Sequence, residues 1–273
     1  MKTFEGILIC TDLDGTLLRS DKSISRENSE AIEHFKAEGG KFTFVTGRMP
    51  YFAEKARKMV KPNAPIGCAN GGGLYDFESG EYVYSTVFPH EGLELVEYAE
   101  KNVPGIGISI YTFNRIYFSA ENEAMAEFRA VTGVENAVKP YLEIDEPIAK
   151  VVFGDIAPEK LKKLEKLLLS HRLSEDFGFV SSEKILFEIL PKGVNKGTVL
   201  PKLAAHLGID MSKTVAIGDY NNDIPMLRAA RYGVAVANAC AEAKAAANYH
   251  TVSNEEHAIA RVIADIESGK MKF

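Results

Sequence analysis

Short apolar runs that break off at a carboxylate, a threonine or a glycine alternate with amphipathic stretches through the first third of the chain. Ile7-Leu-Ile-Cys10 is the first such run, and an unbroken apolar stretch of this length reads as a strand buried on both faces, over about 7–11. A helical pattern follows from 26 to 38, with Ser25 placed to cap it, Ala31, Ile32 and Phe35 forming an apolar face, and Gly39-Gly40 stopping it. Lys41–Thr46 reads as a second strand, 51–59 as a helix and 66–69 as a short strand. The strip Leu74–Tyr84 reads as a hairpin turning at Ser79-Gly80.

The rhythm changes near Phe88-Pro89. A helix over 90–102 is followed by strands at 106–112 and 115–120, a helix at 122–131, a strand at 149–155, a helix at 159–172 and strands at 177–181 and 185–190. Strands joined by tight connections imply an antiparallel sheet with helices on one face. After Pro191-Lys-Gly193 the alternation returns: helix 196–207, strand 213–217, helix 222–230, strand 233–236, helix 240–247, strand 249–252 and helix 255–267. The fold class expected is α/β, with residues 1–86 and 191–273 building one parallel-sheet core and residues 87–190 inserted as an α+β domain.

Composition changes this picture little. The chain has 273 residues, ample for a real core, and a formal net charge of -6, which argues against nucleic acid as the main partner. No apolar run approaches the ~20 residues of a membrane helix, and Met1-Lys-Thr-Phe-Glu-Gly6 has no signal-peptide layout, so a cytoplasmic protein with no membrane partner is expected. Cys10, Cys68 and Cys240 lie far apart without metal or disulfide spacing and are expected as buried free thiols. The histidines, mostly on predicted helices, show no mutual metal spacing.

The candidate chemistry sits at the strand ends. Asp12 and Asp14 follow the first strand, where open α/β sheets place ligands, and two neighbouring carboxylates repel unless a cation or a shared proton neutralises them. The same Asp-x-Asp-Gly is also ordinary turn chemistry. Thr46-Gly47-Arg48, at the end of the second strand, suits an anionic oxygen, or simply satisfies its own turn. Lys196 opens a helix, where a cation is disfavoured unless an anion lies nearby; a solvated lysine is the plainer alternative. Asp219 ends another strand, with Asn222 and Asp223 starting the next helix, where Asn221 or Asn222 could serve only as an N-cap. The order acid pair, threonine, lysine, acid cluster is what a turn-only reading does not explain.

Asp12-x-Asp14-Gly-Thr16, Thr46-Gly47-Arg48, Lys196-Gly197 and Gly218-Asp219-x-x-Asn222-Asp223 resemble the four motifs of the haloacid dehalogenase-like superfamily. The inserted middle third and the Asn70-Gly71 step look like its Cof-type branch, although Asn70-Gly-Gly-Gly73 departs from the Asn-Gly-Ala frequent there, and Tyr220-Asn221 fill the variable positions of the acid cluster. The resemblance implies a three-layer Rossmann-like core with an α+β cap. It implies a Mg²⁺-dependent phosphatase acting on small phosphomonoesters such as sugar phosphates, nucleotides or cofactor phosphates. Asp12 would be the nucleophile forming an aspartyl-phosphate, and Asp14 the general acid and base. Mg²⁺ would be held by the carboxylates of Asp12 and Asp219 and the backbone carbonyl of Asp14. Thr46, Gly47, Lys196 and Asn222 would hold phosphate oxygens, with Asp223 in a supporting position. The cap would close over the core, hinged near 86–89 and 190–193, and set specificity. Asn114, Arg115, Glu183 and Lys184 are cap candidates that read equally as solvated turn residues, and the aromatic pairs Tyr111/Phe113 and Tyr117/Phe118 read as packing. A small phosphorylated metabolite is the expected partner. The alternatives are a phosphotransferase or phosphosugar mutase using the same aspartyl-phosphate, and a noncatalytic phospho-ligand sensor; oligomeric state is not legible.

Overall fold

The computed structural model describes residues 3–273. Strand β1 (Leu8–Thr11) is buried along its whole length and pairs in parallel with β2 (Lys41–Phe44), Leu8 lying opposite Lys41. Helix α1 (Arg26–Ala37) connects them; the Ser25 side chain accepts from the Asn28 amide at its start, and Ile32 and Phe35 turn inward. Helix α2 (Pro50–Val60) begins on proline, where the missing N–H has no helical partner to lose. Strand β3 (Ile66–Cys68) departs from the simple alternation. The chain reverses straight after it, so β3 pairs antiparallel with β4 (Gly73–Asp76), which pairs with β5 (Glu81–Ser85) in a three-stranded sheet. A bridge from Val45 to Gly67 links it to the parallel sheet.

Residues Thr86–Val194 form a compact unit of their own. They comprise α3 (Leu93–Asn102), β6 (Gly107–Thr112), β7 (Ile116–Ala120), α4 (Glu123–Thr132), β8 (Ile148–Gly154), α5 (Pro158–Leu169), β9 (Phe177–Glu183) and β10 (Leu186–Pro191). The strands make an antiparallel sheet in the order β7-β6-β8-β10-β9. Alternation sorts its two faces. Ile108, Ile110, Val151, Phe153, Phe187 and Ile189 share an apolar cluster with Leu95, Val96, Leu164 and Leu168 of α3 and α5. The intervening positions include Ser109, Lys150 and Glu188, buried as well. Asn114 and Arg115 lie in the β6–β7 turn, where the Asn114 amide donates to Glu146.

The residues up to Ser85 join Asn195–Phe273 in the other unit. The second stretch supplies α6 (Lys196–Leu207), β11 (Thr214–Gly218), α7 (Ile224–Ala229), β12 (Tyr232–Ala235), α8 (Ala241–Ala246), β13 (Tyr249–His250) and α9 (Ala258–Glu267). Together the two stretches build one parallel sheet in the order β13-β12-β11-β1-β2, so β1 is enclosed by β11 and β2. This unit is an α/β core, and residues Thr86–Val194 are an antiparallel α+β unit. Ile259, Val262, Ile263 and Ile266 give α9 a buried face, each such side chain contributing roughly 1.5–3 kcal/mol. Cys10 and Cys68 are buried, but Cys240 is partly exposed, because its sulfur caps α8 by accepting from the Ala243 amide. Among the described residues no helix is long and apolar enough to cross a membrane.

Candidate active site

Register brings the separated sequence segments to one sheet edge. Thr11 of β1 lies opposite Ile217 of β11 and Phe44 of β2, and the ladder runs on as Asp12 N–H donates to Ile217 O at 2.8 Å and Val45 N–H to Thr11 O at 2.9 Å. Asp12, Thr46 and Asp219 therefore leave three adjacent parallel strands at their carboxyl ends, the edge where sheets of this kind hold ligands. The Gly15 turn that follows needs its glycine. Its φ is +79°, and a Cβ there would stand 2.5 Å from Asp219 Oδ2.

Carboxylate oxygens of Asp12, Asp219 and Asp223 all lie within 4.8 Å of one another. At that spacing two full charges repel by about 3 kcal/mol even at an effective dielectric of ~20. Lys196 partly offsets this: its Nζ lies 2.5 Å from Asp12 Oδ1 and 2.6 Å from Asp223 Oδ1, and its side chain is fully buried. It sits at the first position of α6, behind the Asn195 cap, so the dipole disfavours its charge and the two aspartates hold it there. Asp223 has no oxygen to spare. Oδ2 accepts from the amides of Asp219 at 2.9 Å and Tyr220 at 3.0 Å. Those bonds tighten Asn221–Asp223 into a 3-10 turn, so α7 begins only at Ile224 rather than at 222.

The electrostatics leave the cluster short of positive charge. Burial pushes the Asp12 carboxyl well above the usual carboxylate range; Lys196 opposes this, while Asp223, Asp219 and Asp14 add to it. Burial and then repulsion from Asp223 push Asp219 up to about 6, although the Thr16 hydroxyl donates to its Oδ1 at 2.9 Å. Burial alone would depress Lys196, but Asp12 and Asp223 outweigh it and hold the ammonium charged. The Asp12 and Asp219 carboxylates, with Asp223 adding negative charge behind them, leave a demand for a cation that suits a hard divalent ion such as Mg²⁺.

Asp14 does not join that trio. Arg48 forks onto its carboxylate, Nε to Oδ2 at 2.8 Å and an amino group to Oδ1 at 2.6 Å, and Lys22 Nζ reaches Oδ1 at 2.9 Å. Burial would raise this carboxyl, but Arg48 and Lys22 hold it below the usual range. Thr46 Oγ1 accepts from the Arg48 amide at 3.1 Å, shaping the turn around Gly47. Asn222 does not serve as an N-cap: its amide nitrogen donates to Asn70 Oδ1 at 3.1 Å. Asn70, Thr16, Arg48 and Lys22 are the site groups to which sequence reasoning gave no role. Asn70 and Ala69 both have positive φ, 54° and 50°; for alanine the left-handed region costs roughly 1–2 kcal/mol, a strain that marks functional segments.

A buried carboxylate beside a lysine, a second carboxylate two residues on, and a cation-seeking acid cluster can together attack, protonate and stabilise at an anionic centre. The sequence profile of the haloacid dehalogenase-like hydrolases matches residues 9–263. A putative phosphatase of Streptococcus pyogenes is 30% identical over 94% of this chain and 96% of its own. A 5-amino-6-(5-phospho-D-ribitylamino)uracil phosphatase of Bacillus subtilis is 30% identical over 96% of this chain and 98% of its own. A haloacid dehalogenase-like hydrolase from Bacteroides thetaiotaomicron, 28% identical, superposes with a TM-score of 0.82 over 95% of this chain and 99% of its own.

Proposed function

The chain belongs to the haloacid dehalogenase-like hydrolases and is a phosphatase, and from that premise we propose that it hydrolyses small phosphomonoesters through an aspartyl-phosphate on Asp12, with Mg²⁺ as cofactor. The observation that carries the reading is the acid trio Asp12, Asp219 and Asp223 with Lys196 buried against it. The Asp12 and Asp219 carboxylates, with the Asp14 carbonyl, would hold the ion, while Asp223 stays engaged with Lys196 and the 219–220 amides. Bound there, the ion supplies positive charge that offsets repulsion between an incoming phosphate and the carboxylates.

Asp12 attacks phosphorus, and the bond to the ester oxygen breaks. Lys196 Nζ, already 2.5 Å from Asp12, steadies both the carboxylate and the nonbridging oxygens as charge shifts. Thr46, the Gly47 amide and Asn222 hold the remaining oxygens. Asp14 gives its proton to the leaving alcohol, then takes one from the water that cleaves the acyl-phosphate. Arg48 and Lys22 oppose the protonated form of Asp14, so they must loosen before that step.

The test is phosphate release across a broad panel of phosphorylated metabolites, with sugar phosphates, nucleotides and a phosphoribitylamino-pyrimidine included, in Mg²⁺ and then in EDTA. Selective release that EDTA abolishes is expected. Interconversion of sugar phosphate isomers without free phosphate would replace hydrolysis by phosphotransfer.

A further inference from the structure

The segment Ala69–Gly71 touches three of the segments that make the site. Its backbone bonds to the second-strand turn twice, Asn70 N–H to Thr46 O and Ala69 N–H to Arg48 O, both at 3.1 Å. The Asn70 carboxamide lies close against Gly47, where a Cβ would come within 3.0 Å of Asn70 Oδ1 and 3.2 Å of its nitrogen. The same Oδ1 accepts from Asn222 at 3.1 Å. One residue on, Gly71 has φ +99° and presses on the start of α6: a Cβ there would stand 2.1 Å from Asn195 O. Asn70 is 1% exposed, so these bonds form away from water. A left-handed pair at 69–70 is expensive for non-glycine residues, and it lies beside the site.

We propose that Asn70 is a positioning residue: its carboxamide locks the Asn222 amide, while its backbone N–H ties the same segment to the Thr46–Arg48 turn, in the arrangement that receives a phosphate group. This rests on the phosphatase reading and deepens it. The amide of Asn222 has rotational freedom of its own, and an acceptor fixed by a strained backbone removes that freedom before the anion arrives. Asn70 thus makes the Asn222 contribution to phosphate binding conditional on its own presence.

The experiment is a double-mutant cycle read by calorimetric binding of inorganic phosphate in Mg²⁺, with thermal unfolding alongside. Asn70→Gly suits the positive φ and deletes the carboxamide; Asn70→Asp also tolerates that backbone and keeps an acceptor facing Asn222. With Asn70 in place, Asn222→Ala is expected to weaken phosphate binding about 10-fold or more. In the Asn70→Gly background the same change should have almost no further effect, and in the Asn70→Asp background its effect should return, though the added charge weakens binding throughout. The proposal is overturned if Asn222→Ala costs the same factor in the wild type and Asn70→Gly backgrounds. Absence of phosphate binding by the folded wild type would instead bring down the phosphatase reading, and this proposal with it.

Discussion

Each of the two units buries a lysine against acid, and the two arrangements differ in their arithmetic. In the antiparallel sheet, Lys150 of β8 meets Glu188 of β10 at 2.7 Å, each side chain 3% exposed. Glu188 lies opposite Val152, two residues along from Lys150, so the pair bridges neighbouring strands diagonally, one charge to one charge. In the parallel-sheet unit, Lys196 meets two carboxylates, and a third from Asp219 stands within reach of both. The first pair balances its charges, and Lys150 also sits over the Tyr111 ring, 4.7 Å from its centroid. The second is a deficit, and a deficit of positive charge kept inside a fold is what a site for a cation and a phosphoryl group requires. Burying a lysine says little about function; the charge left unbalanced around it says much.

The sharpest way to break the comparison is to remove one carboxylate from each arrangement. Asp12→Asn should abolish detectable turnover while the thermal midpoint barely moves, since Lys196 keeps Asp223 and the crowded cluster loses a repelling charge. Activity within tenfold of wild type would sink the nucleophile assignment. Glu188→Ala should do the opposite to stability: a buried ammonium that loses its carboxylate costs about 3–5 kcal/mol, read as a drop in denaturant midpoint. Replacing both partners with Met and Leu should recover most of that loss; failure to recover would show that the pair does more than balance its charges.

The smallest effect is a slope in pH. Asp219 is pushed up from 3.8 to about 6 by burial and by Asp223, so between those values the folded state holds a proton there that the unfolded state has released. Its contribution favours folding below about pH 4 and is lost as pH rises through about 6. Unfolding of wild type minus Asp219→Asn, measured in EDTA across that window, should therefore show stability falling with pH; saturating Mg²⁺ should flatten or reverse the slope. A difference that rises with pH in EDTA would contradict the charge-deficit picture.

What the sequence made legible follows from range. Asp12, Asp219 and Lys196 announce themselves locally, as an acid ending an apolar run or a cation at a helix start. The parallel alternation and the antiparallel middle are periodicities, so they read off as well. Contacts decided by long-range register do not. Arg48 on Asp14 is a pairing over 34 residues, and Asn222 on Asn70 one over 152; neither leaves a mark in spacing. Lys150 and Glu188 did leave one, as lone charges inside Ala149–Phe153 and Leu186–Leu190, but 38 residues separate them and no pattern says that they meet. The departure of β3 into its own small sheet was hidden in the glycine run at 71–73, which permits the immediate reversal.

The enclosure of β1 between β2 and β11 also sets a timetable for the growing chain. Leu8 pairs with Lys41 early, but its other neighbour is Thr214, so one edge of the central strand waits through most of synthesis for its partner. The pairings of the inserted unit all close within Thr86–Val194, far sooner on the ribosome. The parallel-sheet unit is thus the last to finish, its most apolar strand exposed along one edge until residues near 218 emerge. Overproduction that outruns this closure leaves an aggregation-prone edge open. The sheet order that brings Asp12 beside Asp219 makes the nascent chain dependent on the arrival of its own far end.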